Sequence, residues 1–397
     1  EFRGVHSGGE GVMDVLNDRT TKQRDRKQEI QISLELVQCN MKVSRGLSGV
    51  GGQATIPVGT PRSWFVSKSM KSLTFAWWNL HNFAHYDSAR RSDPRWPKRK
   101  KEYEAKRDRI LAALDQVFGK DYPDLMAVCE ITREAAQELV TRFPSPFSVS
   151  VSPTYPLDDG FQVAVFYRSG AGFSPELPLI STDREDLAEG TRPMIPVHFA
   201  FSGHMIRFLA CHWTAFEDSR EARERLADVV RRDTHAFLEP TVPKPGLARH
   251  IVVMGDLNEE PMSPIFEKRL IGSRDRESTH GRHWRDSKVR RIRLYNTAWR
   301  FLGEQVAHGV AESNRWEAAG TWFQRPGNWR TFDHILVSCG LLGTNPTYLD
   351  EAQTRVLSTP IMRDKDGLPK PFEPGSASGV SDHLPIVGRL ILSETSP

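Results

Sequence analysis

From Ser72 onward the chain alternates short apolar runs with longer amphipathic segments. The runs LTFAWW (73–78), LMAVC (125–129), FQVAVFY (161–167), IPVHFAF (195–201), MIRFLAC (205–211), IVVM (251–254), HILVS (334–338) and LPIVGRLIL (384–392) are short, rich in β-branched and aromatic residues, and predict strands. Helices are predicted over 98–118, 132–142 and 217–238. There apolar residues recur every three or four positions, as at Ile110, Leu111, Leu114, Val117 and Phe118. Only Ser202-Gly203-His204 separates IPVHFAF from MIRFLAC, a length suited to a hairpin and so to antiparallel pairing. The stretch from strand 73–78 through helix 98–118 to strand 125–129 is long enough for a helical crossover, which parallel pairing requires. Mixed sheets covered by helices follow, and no internal repeat is visible.

Residues 1–69 are patterned differently. Gly, Ser, Gln, Arg and Thr dominate, and such a stretch buries too little apolar surface to offset its ordering entropy. The expectation is a mostly disordered leader or a non-native extension, with the functional domain over 70–397. The whole chain of 397 residues is 38% hydrophobic and 26% charged, which supports a sizeable core. No apolar run approaches the roughly 20 residues that span a bilayer, and the first residues lack the pattern of a secretory signal. Cys129, Cys211 and Cys339 sit at or just after apolar runs, without CxxC or Cys/His zinc spacing, and read as reduced thiols of a cytoplasmic protein.

Polar residues with chemical potential gather at the predicted strand ends. Asn79-Leu80-His81-Asn82 follows LTFAWW, Glu130 follows LMAVC, and His212-Trp213 follows MIRFLAC. IVVMG runs into Asp256-Leu257-Asn258, Asp333-His334 opens HILVS, and Ser381-Asp382-His383 opens the last strand. Any one of these is an ordinary turn or cap residue. Six together at strand boundaries mark the place where an α/β scaffold builds a site. Carboxylates with an Asn carbonyl are hard oxygen ligands that suit Mg²⁺ or Mn²⁺, while the remaining histidines and carboxylates can handle protons and hold an anionic transition state. The combination fits metal-assisted hydrolysis of a phosphate ester.

The ordered motifs WNLHNF, PDLMAVCEI, FLACHWTAF, VVMGDLNEEP, TWFQRPGNWRTFDHILVS and SDHLPIV resemble those of the endonuclease/exonuclease/phosphatase superfamily, in a bacterial-type member, over roughly residues 72–393. The resemblance implies a DNase I-like α/β fold, a four-layer α/β/β/α sandwich of two mixed, largely antiparallel sheets. It makes Glu130 the principal metal ligand, assisted by Asn79 and Asp382. Asp256 would activate or orient the attacking water, Asn258 would hold a phosphoryl oxygen, and His383, fixed by Asp333, would donate to the phosphate. His212 would stabilise the transition state or protonate the leaving group. The chain departs from relatives at His81, where many carry an acid or Asn, and at Cys211-His212-Trp213, where abasic-site endonucleases carry a Tyr-centred motif. Glu259-Glu260 and Asp333-His334 stand where inositol-polyphosphate phosphatases show arginines.

Charge is uneven. Residues 90–109 hold ten Lys or Arg against four acids, and residues 269–293 hold nine against three, on a chain whose net charge is only +4. The second stretch follows the GDLN motif, and Arg290, Arg291 and Arg293 with Trp284 are candidates for phosphate contact and base stacking. The leading expectation is a nuclease with nucleic acid as substrate. The alternatives are a phosphatase or phosphodiesterase acting on a small phosphoester or lipid headgroup, and a non-catalytic nucleic-acid-binding module.

Overall fold

The computed structural model describes residues 71–87, 97, 99–153, 160–179, 193–215, 219–242, 244–280, 292–303, 318–343 and 347–393. The expected leader over 1–69, most of 90–98, and the loop residues Trp284, Arg290 and Arg291 lie outside these. The strands are β1 (Lys71–Phe83), β2 (Leu125–Ile131), β3 (Phe147–Val151), β4 (Gln162–Arg168), β5 (Phe173–Pro175), β6 (Ile195–Phe201), β7 (His204–His212) and β8 (Ala248–Asp256). They continue with β9 (Gly272–Ser273), β10 (Leu294–Asn296), β11 (Trp322–Gln324), β12 (Asn328–Arg330), β13 (Asp333–Ser338), β14 (Thr347–Leu349), β15 (Arg355–Val356) and β16 (Ile386–Leu392). The α-helices are α1 (Lys100–Phe118), α2 (Arg133–Val140), α3 (Arg220–Leu238), α4 (Pro264–Lys268) and α5 (Arg276–His280).

Two seven-stranded sheets form. One runs β14-β16-β1-β2-β4-β3, with β15 also on β16, and the other runs β5-β6-β7-β8-β13-β10-β9. The long crossovers through α1 and α3 make β1–β2 and β7–β8 parallel, as expected of helical connections. Most other pairings are antiparallel, including β1 with β16 and β8 with β13.

Both faces of each sheet are buried, which explains the unbroken apolar runs. Alternate residues such as Phe75, Trp77, Ala127 and Val165 from the first sheet meet Phe208, Val252, Met254 and Ile335 from the second in the central core. The intervening residues Ala76, Trp78, Val128 and Phe166 pack outward on Tyr103, Ile110 and Leu114 of α1 and on Leu139 of α2. On the other outer face, Leu209, Ile251 and Val253 pack on Leu226 and Val230 of α3 and Phe266 of α4. The fold is the expected four-layer sandwich.

Boundaries differ in instructive places. β1 continues past Trp78 to Phe83, because pairing with β2 resumes at Phe83–Ile131 after a register shift. β3 reads FSVSV, an edge strand of half-buried residues, and β9–β12 have only two or three residues each, too few for a period to show. Ser202 and Gly203 turn the β6–β7 hairpin with positive φ at both, as a two-residue hairpin turn demands.

Candidate active site

The site lies where the parallel pairs end. β1 and β2 deliver Asn79 and Glu130 from one sheet, and β7 and β8 deliver His212 and Asp256, paired in register, from the other. The antiparallel neighbours run the opposite way, so their beginnings fall at the same edge: β13 starts at Asp333, opposite Asp256, and Asp382-His383 precede β16. Sequence-distant polar residues therefore converge because apolar strands of matched length end together.

Gly255 sets how closely β7 and β8 approach. A Cβ there would come within 2.1 Å of the Cys211 carbonyl oxygen, so glycine is required one residue before Asp256.

Side chains are tied into one network. Asn79 Nδ2 donates to Glu130 Oε1 at 3.0 Å and to Asp256 Oδ2 at 3.0 Å, clipping the two carboxylates together across the sheets. Its Oδ1 accepts the His81 amide at 2.9 Å, and the Asn82 amide donates to Glu130 Oε2 at 2.9 Å. His383 Nδ1 donates to Asp333 Oδ2 at 2.8 Å, while the other oxygen of Asp333 accepts the Trp77 indole N–H at 2.7 Å. The opposite imidazole nitrogen of His383 stands 3.7 Å from Asp256 Oδ2, and His212 Nε2 stands 3.9 Å from the same oxygen. Asn258 donates its backbone N–H to Asp256 Oδ1 and its side-chain amide to the Trp213 carbonyl.

Four non-glycine residues here, His81, Asn82, Glu130 and Asn258, have φ between +49° and +57°. Left-handed backbone at a residue such as Glu130 persists only where surroundings enforce it, and such residues cluster at functional sites. The twist lifts Glu130 out of the β2 ladder, whose pairing with β4 shifts register between Val128 and Ile131.

Electrostatics follow from burial and proximity. Burial pushes the Asp256 carboxyl up to about 7, with Asp333 adding to the rise and His383 opposing it. For His383 burial acts downward, but the charges of Asp333 and then Asp256 outweigh it and raise the imidazole to about 10. Burial would raise Asp382, yet His383, His81 and the Trp322 indole together hold it below the usual carboxylate range. Burial lowers His81, against the opposing charge of Asp382 3.8 Å away.

Two groups of residues are candidates for a cation. Asp256, Asp333 and His383 offer atoms within 4.8 Å of one another. However, Asp333 is wholly buried beneath His383, and an imidazole raised to about 10 carries no free lone pair at neutral pH. Glu130 and Asp382 fit better. They are hard oxygen donors at the polar edge of the site, and Asp382 Oδ1 is buried with no hydrogen-bond partner among the described residues.

A sequence model described as Endonuclease/Exonuclease/phosphatase family matches residues 84–391. The chain belongs to the endonuclease/exonuclease/phosphatase family. No curated protein matches it. Among solved structures, this family member is similar to an endonuclease/exonuclease/phosphatase family protein from Bacteroides thetaiotaomicron, with 16% identity and a TM-score of 0.47 over 82% of this chain and 100% of that one. It is also similar to D. rerio TDP2 complexed with single-strand DNA product, with 16% identity and a TM-score of 0.44 over 80% and 98% of the two chains. A mannosyl-6-phosphatase from Bacteroides thetaiotaomicron shows 15% identity and a TM-score of 0.46 over 81% and 100%.

All eight candidates of the endonuclease/exonuclease/phosphatase motifs, Asn79, Glu130, His212, Asp256, Asn258, Asp333, Asp382 and His383, meet in this one place. Of the four loop candidates only Arg293 is among the described residues. It is half-buried and lines a separate cleft beyond the GDLN turn. Sequence reading missed the supports: Trp77 on Asp333, the Trp78 indole on the His383 carbonyl at 2.9 Å, the Trp322 indole on Asp382 at 3.2 Å, and buried Lys106, which donates to the His81 carbonyl. The signal was present in the paired tryptophans of LTFAWW, since a buried indole N–H needs an acceptor and adjacent strand residues face opposite ways.

Proposed function

We propose that this family member is a divalent-cation-dependent nuclease that hydrolyses phosphodiester bonds of nucleic acid. The observation that carries the reading is the convergence of Asp256 and the His383–Asp333 pair beside the oxygen donors Glu130 and Asp382. Mg²⁺ or Mn²⁺, held by Glu130 and Asp382 with Asn79 bracing Glu130, would supply fixed positive charge that polarises the phosphoryl group.

The chain's own residues account for the proton movements. Asp256, with its carboxyl near neutrality, orients a water and takes its proton as the water oxygen attacks phosphorus. His383 donates from the nitrogen not used by Asp333 to a phosphoryl oxygen, and Asp333 holds the protonated ring in that orientation. Asn258 can spend its second amide hydrogen on the phosphate, the first being held by Trp213. His212 faces the same carboxylate oxygen and delivers a proton to the leaving oxygen as the ester bond breaks.

The basic stretches at 90–109 and 269–293 favour a polyanion over a small phosphoester. The test is one activity screen with Mg²⁺ or Mn²⁺ across single- and double-stranded DNA, RNA, nucleotides, inositol phosphates and sphingomyelin. Cleavage of a polynucleotide that stops in EDTA and resumes with added metal supports the reading. Turnover confined to small phosphoesters would overturn the nucleic-acid part and leave a phosphatase or phosphodiesterase.

A further inference from the structure

Beyond the GDLN turn lies a cleft of about 500 Å³, within the range of ordinary ligand sites. Its rim is built by Pro261, Met262 and Ser263, the direct continuation of the turn that carries Asp256 and Asn258. Met262 is four positions beyond Asn258, so the two lie no more than about 14 Å apart. The floor is wired to the same turn. Asn296, in the cleft lining, hydrogen-bonds His334 Nδ1 at 3.0 Å, and His334 Nε2 donates to the Glu259 carbonyl at 2.8 Å.

Arg274 in this cleft differs from the arginines around it. Arg269 pairs with Glu224 and Asp228, and Arg276 and Arg300 both pair with Glu351. Arg274 has no ion pair or hydrogen bond among the described residues, and its guanidinium lies 4.9 Å over the Trp299 ring. A stacked, planar guanidinium with unused N–H donors is suited to a phosphate at its edge and a base on its face. Met262, 66% exposed, faces the same space as an apolar contact, and Arg293 adds a second cation. The lining also holds two acids, Glu267 on α4 and Asp275, which accepts the Ser278 amide, and a phosphate on Arg274 must keep clear of both.

We propose that this cleft is a second nucleotide subsite, in which one nucleotide of a single strand, outside the scissile bond, stacks against Arg274 and Met262 and gives its phosphate to the Arg274 guanidinium. The inference rests on the nuclease reading and names where the strand continues. It assigns binding, not chemistry, to Arg274, Trp299 and Met262.

The test measures binding and turnover separately on the full chain. A fluorescein-labelled ten-nucleotide single strand is titrated by anisotropy in EDTA, and hydrolysis of bis-p-nitrophenyl phosphate is followed with metal. Arg274→Ala should weaken strand binding about tenfold and reduce the log–log salt slope by about 0.7, while the small diester is hydrolysed at the wild-type rate. Arg274→Lys should restore the salt slope but only part of the affinity, because the ammonium lacks the planar face. Trp299→Leu should act in the same direction as Arg274→Ala. Wild-type strand affinity in Arg274→Ala would overturn the subsite and leave the nuclease reading standing. A wild-type chain that neither binds nor cuts strands, yet hydrolyses small phosphoesters, would overturn both.

Discussion

Trp77 and Trp78 form a matched pair from which the worth of the Asp333 tether can be measured. The two are adjacent on β1, 0% and 1% exposed, and each donates its indole N–H, one to the Asp333 carboxylate at 2.7 Å and one to the His383 carbonyl at 2.9 Å. Replacing either by Phe removes the same atoms and leaves a similar packing defect, costing about 1–2 kcal/mol. The hydrogen bonds differ. One to a charged group contributes about 1.5–3 kcal/mol and a neutral one about 0.5–1.5 kcal/mol. Asp333 is wholly buried, so Trp77→Phe also strands a carboxylate oxygen where water cannot replace the lost donor. Trp77→Phe is therefore expected to destabilise the domain by about 1–1.5 kcal/mol more than Trp78→Phe, and to lower kcat on any cleaved phosphoester about tenfold by loosening Asp333 under His383. Urea unfolding followed by far-UV circular dichroism reads the difference as a shift in midpoint at unchanged slope. Equal losses in the two variants, or a larger loss in Trp78→Phe, would refute the claim that the Asp333 tether is the stronger one.

Three further outcomes are expected. Glu130→Gln should lower turnover about 10²-fold or more with little change in unfolding midpoint, and EDTA should silence the wild type reversibly; full activity in EDTA would remove the cation from the mechanism. Asp333→Asn and His383→Ala should each lower kcat by about 10² to 10⁴, and the double variant should lose little beyond the worse single one, whereas additive losses would show two independent groups. Burial first, and then the charge of His204, lower His250 to about 4, so the folded state prefers the neutral ring; its stabilising share is complete above pH 6.5 and is lost as pH falls toward 4. By pH 5 the loss is about 2 kcal/mol, and His250→Gln should flatten the stability profile between pH 7.5 and 5 by that amount, with parallel profiles counting against it.

Much of this was legible in the sequence because the site is written at the ends of apolar runs. A buried strand announces itself by composition, and the first polar residue after it, such as Glu130 or Asp256, has to stand at the sheet edge. The convergence of those edges was not legible from any one motif, since it depends on the parallel registers Asn79–Cys129 and His212–Asp256. Orientation was less visible still. In sequence Asn79 is an oxygen ligand, but in the fold its amide hydrogens face Glu130 and Asp256 while its oxygen holds the His81 amide. Lys106 reads as one charge on an amphipathic helix, yet it is 7% exposed and reaches the His81 carbonyl beneath the site. Helical periodicity cannot reveal that, because a long aliphatic stem lets a charged head cross an apolar layer.

The pairing of β1 with β16 joins residues about three hundred positions apart, and it is this late partner that brings Asp382 and His383 beside Asn79 and Glu130. Closing so long a loop is entropically costly and comes after local elements have formed, so assembly of the site is a late event in folding. During synthesis, which proceeds from the N-terminus at about 5–20 residues per second, the chain carries its first polar cluster for many seconds without the Asp-His that completes it. Prematurely terminated fragments ending before Ser381 share that deficiency. If Asp382 and His383 act as proposed, fragments lacking β16 and the residues just before it should show no turnover in the phosphoester screen, so the topology would couple activity to completion of the first sheet.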